Sequence, residues 1–117
     1  MSGLTTHVLD LAHGRPAAQV KVELFRVEKG KHTWLKEAFT NEDGRLDEPL
    51  LTTGEMQIGE YELTFHVGEY FRGKTTILPE PQFLSIVPVR FGISNNKSHY
   101  HVPLLISPWG YQVYRGS

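Results

Sequence analysis

Cysteine is absent from this chain. Disulfides, thiolate metal sites and cysteine nucleophiles are excluded with it. The absence is compatible with a reducing compartment, and a cytoplasmic setting is the expectation. An excess of charge of one sign is missing too: 12 Lys and Arg face 13 Asp and Glu, for a formal net charge of -1. No basic tract stands out, so a nucleic-acid footprint is not indicated. No apolar run approaches the roughly 18 residues of a membrane span. Neither nucleic acid nor membrane is therefore expected as a partner. The opening residues Met1-Ser2-Gly3-Leu4-Thr5-Thr6-His7 lack the charged-then-apolar layout of a secretory signal. The ending is not the Ser-Lys-Leu peroxisomal address. Internal repeats, linkers and low-complexity tracts are also lacking.

What remains is 117 residues, enough for one domain spanning 1–117. A chain of this size hides roughly two-thirds of its unfolded surface, so a real core is available. Alternation dominates the pattern. Val20, Val22 and Leu24 recur at period two between Lys21 and Glu23, and Tyr61, Leu63 and Phe65 do so against Glu60, Glu62 and Thr64. Half-buried strands read this way. Turn residues punctuate the chain at Ala12-His13-Gly14-Arg15-Pro16, Glu28-Lys29-Gly30-Lys31, Asn41-Glu42-Asp43-Gly44 and Asn95-Asn96. Short strands at such spacing predict an all-β sandwich or barrel. Strands are expected at 4–10, 19–27, 33–40, 55–58, 60–66, 85–93, 99–107 and 110–115, with a short helix over 67–74 between Gly68 and Gly73. Leu78-Pro79-Glu80-Pro81 is a loop, and Pro88 and Pro103 predict edge positions or bulges in their strands. The aromatic residues Tyr100, Trp109, Tyr111 and Tyr114 suit either core packing or a subunit interface.

Several residues carry chemistry. In an extended strand His7 shares a face with Thr5 and Leu9, and an imidazole is the side chain best suited to proton transfer near neutral pH. His99 and His101 flank Tyr100 and share a face in the same way. They suit a base and its neighbour, a weak metal pair with His7 as third ligand, or a solvated polar face. His13, His32 and His66 fall in turns or at a strand end and show no constellation. Arg45 follows the tight turn ending at Gly44, which supplies a positive φ. A guanidinium held there suits a planar, oxygen-rich anion, although a solvated hairpin arginine is the more common case. Tyr114-Arg115-Gly116-Ser117 follows a strongly patterned strand with almost no linker. Ser117 is a poor acyl nucleophile, but its hydroxyl or carboxylate suits hydrogen bonding.

His7-Val8-Leu9-Asp10-Leu11-Ala12-His13-Gly14-Arg15-Pro16-Ala17-Ala18-Gln19-Val20-Lys21-Val22 resembles the N-terminal signature of the transthyretin family, and Tyr100 through Gln112 resembles the C-terminal one. Within that family, carriers have Lys and Thr where this chain has His7 and His101. The branch that hydrolyses 5-hydroxyisourate has His at both, Arg after the Asp-Gly turn, and the Tyr-Arg-Gly-Ser ending. This chain matches the hydrolase pattern at all four places. The resemblance implies a transthyretin (prealbumin)-like β-sandwich of two four-stranded sheets with one short helix. It implies a homotetramer, a dimer of dimers whose sites lie at the dimer–dimer interface. It further implies 5-hydroxyisourate as the small-molecule substrate, no cofactor and no metal. His7, Arg45 and His101 would be catalytic, and Tyr114 and Ser117 would bind substrate. The rivals are a small-ligand carrier without catalysis, a zinc hydrolase using His7, His99 and His101, and a purely structural interaction domain.

Overall fold

The structure is a computed structural model that describes residues 3–74 and 77–117. Two four-stranded sheets face each other. The first has the order β2-β1-β7-β8, from β1 (Leu4–Asp10), β2 (Arg15–Pro16), β7 (Tyr100–Ser107) and β8 (Gly110–Val113). The second has the order β4-β3-β5-β6, from β3 (Lys21–Glu28), β4 (Lys31–Phe39), β5 (Gly59–Phe65) and β6 (Val87–Ile93). One short helix, α1 (Val67–Arg72), follows β5 and stops at Gly73.

The alternating sequences place one set of side chains inward and the other outward. Leu4 and Val8 of β1 and Tyr100, Val102, Leu104 and Ile106 of β7 meet Val22, Leu24, Leu63, Phe65 and Val87 of the other sheet in one core. The helix adds Val67, Tyr70 and Phe71. Thr5, His7 and Leu9 are left on the outer face of β1, the face shared in the sequence reading.

Asp10 also faces inward and is almost wholly buried. Its carboxylate accepts the Tyr70 hydroxyl at 2.7 Å, His13 Nδ1–H at 2.6 Å and the His13 backbone N–H at 3.1 Å. Burial alone disfavours its ionisation, but the bonds from Tyr70 and His13 outweigh that and hold the carboxyl below the usual aspartate range. The end of β1 is thereby tied to α1. His13 thus belongs to a constellation after all. So do His66, bonded to Glu23 at 2.7 Å, and His32, which lies within β4 and bonds Glu62 at 3.1 Å.

Three local expectations are corrected. The segment 55–58 is no strand. A 3-10 turn at Thr53–Glu55 takes its first residue, closed by the Thr52 N–H on the Glu55 carboxylate at 2.8 Å, so the backbone bonds locally rather than to a neighbour. Arg15 and Pro16, read as turn, pair with Asp10 and Leu9 as a minimal edge strand. Pro88 does sit in an edge strand, but Pro103 lies in β7, which has β1 on one side and β8 on the other. Pro103 is accommodated because it falls between the last β8 pair, Leu104 with Val113, and an isolated bridge from His101 to Gly116. A missing N–H there interrupts only the side of the ladder on which Tyr114 and Arg115 are unpaired.

Candidate active site

The parallel pairing of β1 with β7 sets Thr5 beside His101 and His7 beside Pro103. Residues about a hundred positions apart thereby share one outer face. A third segment arrives through the turn at 41–45. The Asn41 side-chain oxygen accepts the N–H groups of Asp43 at 2.9 Å and Arg45 at 3.1 Å. Gly44 has φ +76°, and a Cβ on it would stand 2.3 Å from the Val8 carbonyl oxygen, so only glycine fits. That close approach lets Val8 N–H reach the Gly44 carbonyl at 2.8 Å and bridges His7 to Arg45. The turn chemistry read from the sequence therefore does position Arg45 at the histidine strand.

His7 Nε2 lies 2.8 Å from the Asp43 carbonyl oxygen. A carbonyl only accepts, so Nε2 carries the proton and the lone pair of neutral His7 sits on Nδ1. His101 Nδ1 lies 2.8 Å from Thr5 Oγ1. The same hydroxyl is 3.4 Å from His99 Nε2, and the His99 and His101 rings stack at 6.1 Å with 13° between planes. Burial and then the Arg45 cation push the His7 imidazole below its ordinary value, against the opposing bond to Asp43. Burial, Arg45, His99 and His7, in that order, do the same to His101. Both shifts favour the neutral imidazole, the form able to accept a proton.

A cavity of ≈ 310 Å³ opens here, lined by Thr5, Thr6, Arg45, Leu46, Glu48, His99, His101 and Ser117. His7 does not line it, but stands beside Arg45 at its border. Ser117 is delivered by a latch. Gly116 N–H bonds the His101 carbonyl at 2.7 Å, and Arg115 bonds the His99 carbonyl at 3.2 Å while lying 4.0 Å over the Tyr100 ring. Arg115 is thus occupied as an anchor. Tyr114 is not brought to this cavity within one chain. It lines a separate hollow with Phe91, Val102 and Arg115. A larger hollow, ≈ 500 Å³, lies beyond the wall formed by Leu46 and Glu48, and has no histidine or arginine in its lining. Although β1 and β7 do converge, no group of three or more His, Cys, Asp or Glu that could hold a metal ion is found among the described residues.

Sequence reasoning singled out His7, Arg45, His101 and Ser117, and the fold brings them to one face. It passed over Thr5, which was named only as a face neighbour, and Leu46 and Glu48, which no motif marks. Thr5 was detectable, since period two from His7 places its hydroxyl on the same surface.

The sequence profile described as "HIUase/Transthyretin family" matches residues 4–116. The chain belongs to the HIUase/Transthyretin family. Among relatives, this family member is 54% identical over 114 residues to "5-hydroxyisourate hydrolase 2" of Rhizobium meliloti, covering 97% of this chain and 95% of that protein. Among solved structures it resembles the Klebsiella pneumoniae 5-hydroxyisourate hydrolase, with a TM-score of 0.76, 32% identity, and coverage of 100% of this chain and 94% of that one. It also superimposes on a solved (S)-allantoin synthase with a TM-score of 0.91 and 44% identity, covering 99% of this chain but 44% of that longer one.

Proposed function

We propose that this family member hydrolyses 5-hydroxyisourate to 2-oxo-4-hydroxy-4-carboxy-5-ureidoimidazoline, a step of urate breakdown. The observation that carries the reading is a cavity lined by His101, Arg45 and Ser117 with His7 paired beside Arg45, both imidazoles being pushed below their ordinary pKa. Its relatives bearing the hydrolase name support the substrate.

Water is a poor nucleophile and needs a base as it attacks. Its oxygen bonds to the lactam carbonyl carbon while an imidazole takes its proton. Negative charge then gathers on the carbonyl oxygen, where Arg45 stabilises it. The ring C–N bond breaks as the imidazolium so formed gives up its proton to the leaving nitrogen, and a carboxylate and a ureido group result. His7 and His101 serve the water activation and this proton delivery. Ser117 binds polar groups of the substrate. The lactam is already activated, so no cofactor takes part.

A lipophilic-ligand carrier would need an apolar channel. This cavity has one leucine in its lining among threonine, arginine, glutamate, histidine and serine.

The proposal extends to assembly. The exposed Trp109, Tyr111, Val113 and Tyr114 cluster in and around β8, an edge strand of the sheet bearing the site, and suit contact with further copies in a homotetramer. Only in such an assembly would Tyr114 act as a substrate-binding group. No helix among the described residues is long and apolar enough to cross a membrane, and a cytoplasmic setting completes the proposal.

The test is an ultraviolet decay assay in which urate oxidase generates the substrate in place. After subtraction of spontaneous decay, the protein should accelerate its loss, and His101→Asn should cut turnover by ~10²–10⁴-fold, the usual worth of a positioned acid or base. No acceleration by folded protein would return the reading to a carrier. Light scattering of the same sample measures the oligomer.

A further inference from the structure

We propose that Thr5 and His99 are positioning residues that fix the tautomer of His101, so that neutral His101 offers its Nε2–H as a hydrogen-bond donor to the substrate oxygen and His7 acts as the base through Nδ1. The inference rests on the site reading given above and goes further, assigning each histidine one role.

The argument begins with one hydroxyl placed between two rings. Thr5 Oγ1 is 2.8 Å from His101 Nδ1 and 3.4 Å from His99 Nε2. A hydroxyl has a single proton, so it donates to one ring and accepts from the other. Which way it points is decided at the far side of His99. Its Nδ1 is buried and has no hydrogen-bond partner among the described residues. An orphaned buried N–H is rarer and costlier than an acceptor left bare. His99 therefore keeps its proton on Nε2 and donates it to Thr5. Thr5 in turn donates to His101 Nδ1, the shorter of its two contacts. A neutral His101 then carries its own proton on Nε2.

The rest of the His101 ring agrees with this direction. Its Cδ2 edge is packed against Gly116, where an added Cβ would stand 2.7 Å away. Nδ1 is held by Thr5, so the Cε1–Nε2 edge is the one left free for the cavity that the ring lines. His7 has the opposite arrangement. Its Nε2–H is committed to the Asp43 carbonyl, and its Nδ1 has no hydrogen-bond partner among the described residues. Two imidazoles of the same type thus present opposite groups, a lone pair and an N–H. A hydrolysis uses both: a base for the water and a donor for the oxygen on which charge gathers. His7 takes the proton of water, becomes an imidazolium and passes that proton to the departing lactam nitrogen, while His101 stays neutral and keeps its Nε2 proton. Both rings end the cycle as they began it.

The experiment reads the tautomer directly. Imidazole nitrogen–proton NMR correlations at pH 8 would be recorded for the intact protein and for Thr5→Val, Thr5→Ser and His99→Gln, with turnover of each. The groups facing His101 are Arg45, His7 and His99, with Glu48 and Ser117 in the same cavity wall, and all are retained in the threonine variants. In the intact protein, His101 should show a pyrrole-type Nε2 and a pyridine-type Nδ1. Thr5→Val should mix the two forms and lower kcat by at least ~10-fold with KM within about twofold, less than removing an acid–base group outright. Thr5→Ser should restore both readouts. His99→Gln, which retains a donor at the position of Nε2, should keep the tautomer. A proton on Nδ1 of His101 in the intact protein overturns the inference. So does Thr5→Val with unchanged tautomer and kcat. If His101→Asn abolishes turnover while Thr5→Val leaves it untouched, this inference falls and the hydrolase reading stands. If the intact protein has the stated tautomer but does not act on 5-hydroxyisourate, the hydrolase reading falls and the tautomer assignment is upheld.

Discussion

Replacing Gly116 by alanine should unlatch the site without unfolding the protein. In the structure a Cβ at this position would lie 2.7 Å from His101 Cδ2 and 3.2 Å from Pro103 Cγ. Both neighbours belong to a paired strand, so neither yields easily. Forcing such overlap costs about 1–3 kcal/mol. Against this, the segment is held by the Gly116 N–H bond to His101, worth about 0.5–1.5 kcal/mol, and the charged Arg115 bond to His99, worth about 1.5–3 kcal/mol. Ordering each residue of the segment costs about 1–2 kcal/mol, so the latch is closed by a narrow margin. A penalty of 1–3 kcal/mol then lowers the closed-to-open ratio by about 5- to 150-fold, at 1.4 kcal/mol per tenfold. Ser117 leaves the cavity in the open form, and kcat/KM in the decay assay should fall several-fold, by up to about 100-fold at the top of that range. The core contains no part of this segment, so Tm should move by a degree or two at most. Wild-type kcat/KM for Gly116→Ala would refute the latch and with it the place of Ser117 in the site.

Tyr70→Phe removes one hydrogen bond to a buried carboxylate and should cost about 1.5–3 kcal/mol, read as a lower urea midpoint at pH 7. Because the folded-state pKa of Asp10 is depressed, its contribution is present above the ordinary aspartate value. It is lost as pH falls through the lower folded-state value, so the gap between variant and wild type should narrow in acid. Both imidazoles are shifted downward, so kcat/KM should hold steady at neutral pH and decline only below the ordinary imidazole range; a decline already under way at pH 7.5 would contradict the neutral pair. Arg45→Lys should retain part of the activity lost in Arg45→Ala, since a point charge replaces the charge but not the planar fork. Equal activity in all three proteins would remove Arg45 from the reaction.

Much of the fold was legible because its causes are local. Alternation in β1, β3, β5 and β7 comes from one face meeting a core, and period two records that directly. Segment 55–58 misled because a side-chain bond from Glu55 to the Thr52 N–H leaves no mark on hydrophobic periodicity. Pro103 misled because its tolerance depends on where β8 stops pairing, a property of a different strand. The site followed the same division. His7, Arg45 and His101 were visible as residue types next to turns and strands. Their convergence depends on the register of β1 against β7, which pattern leaves open. Leu46 and Glu48 were invisible because the cavity wall they form has no sequence pattern of its own.

The pairing of β1 with β7 also orders events in time. Thr5 and His101 are separated by 96 positions, and β1 is an interior strand whose main partner is the seventh to be made. Contacts of such long range are slow to form, since the loop must close before they reward it. During synthesis the second sheet has all its strands by residue 93, while β1 still awaits its neighbour. A ribosome-bound chain therefore carries an unmated strand edge for most of its elongation. Return of turnover on refolding should then report one late event, the docking of β7 between β1 and β8, and lag behind the burial of Tyr61 in the other sheet.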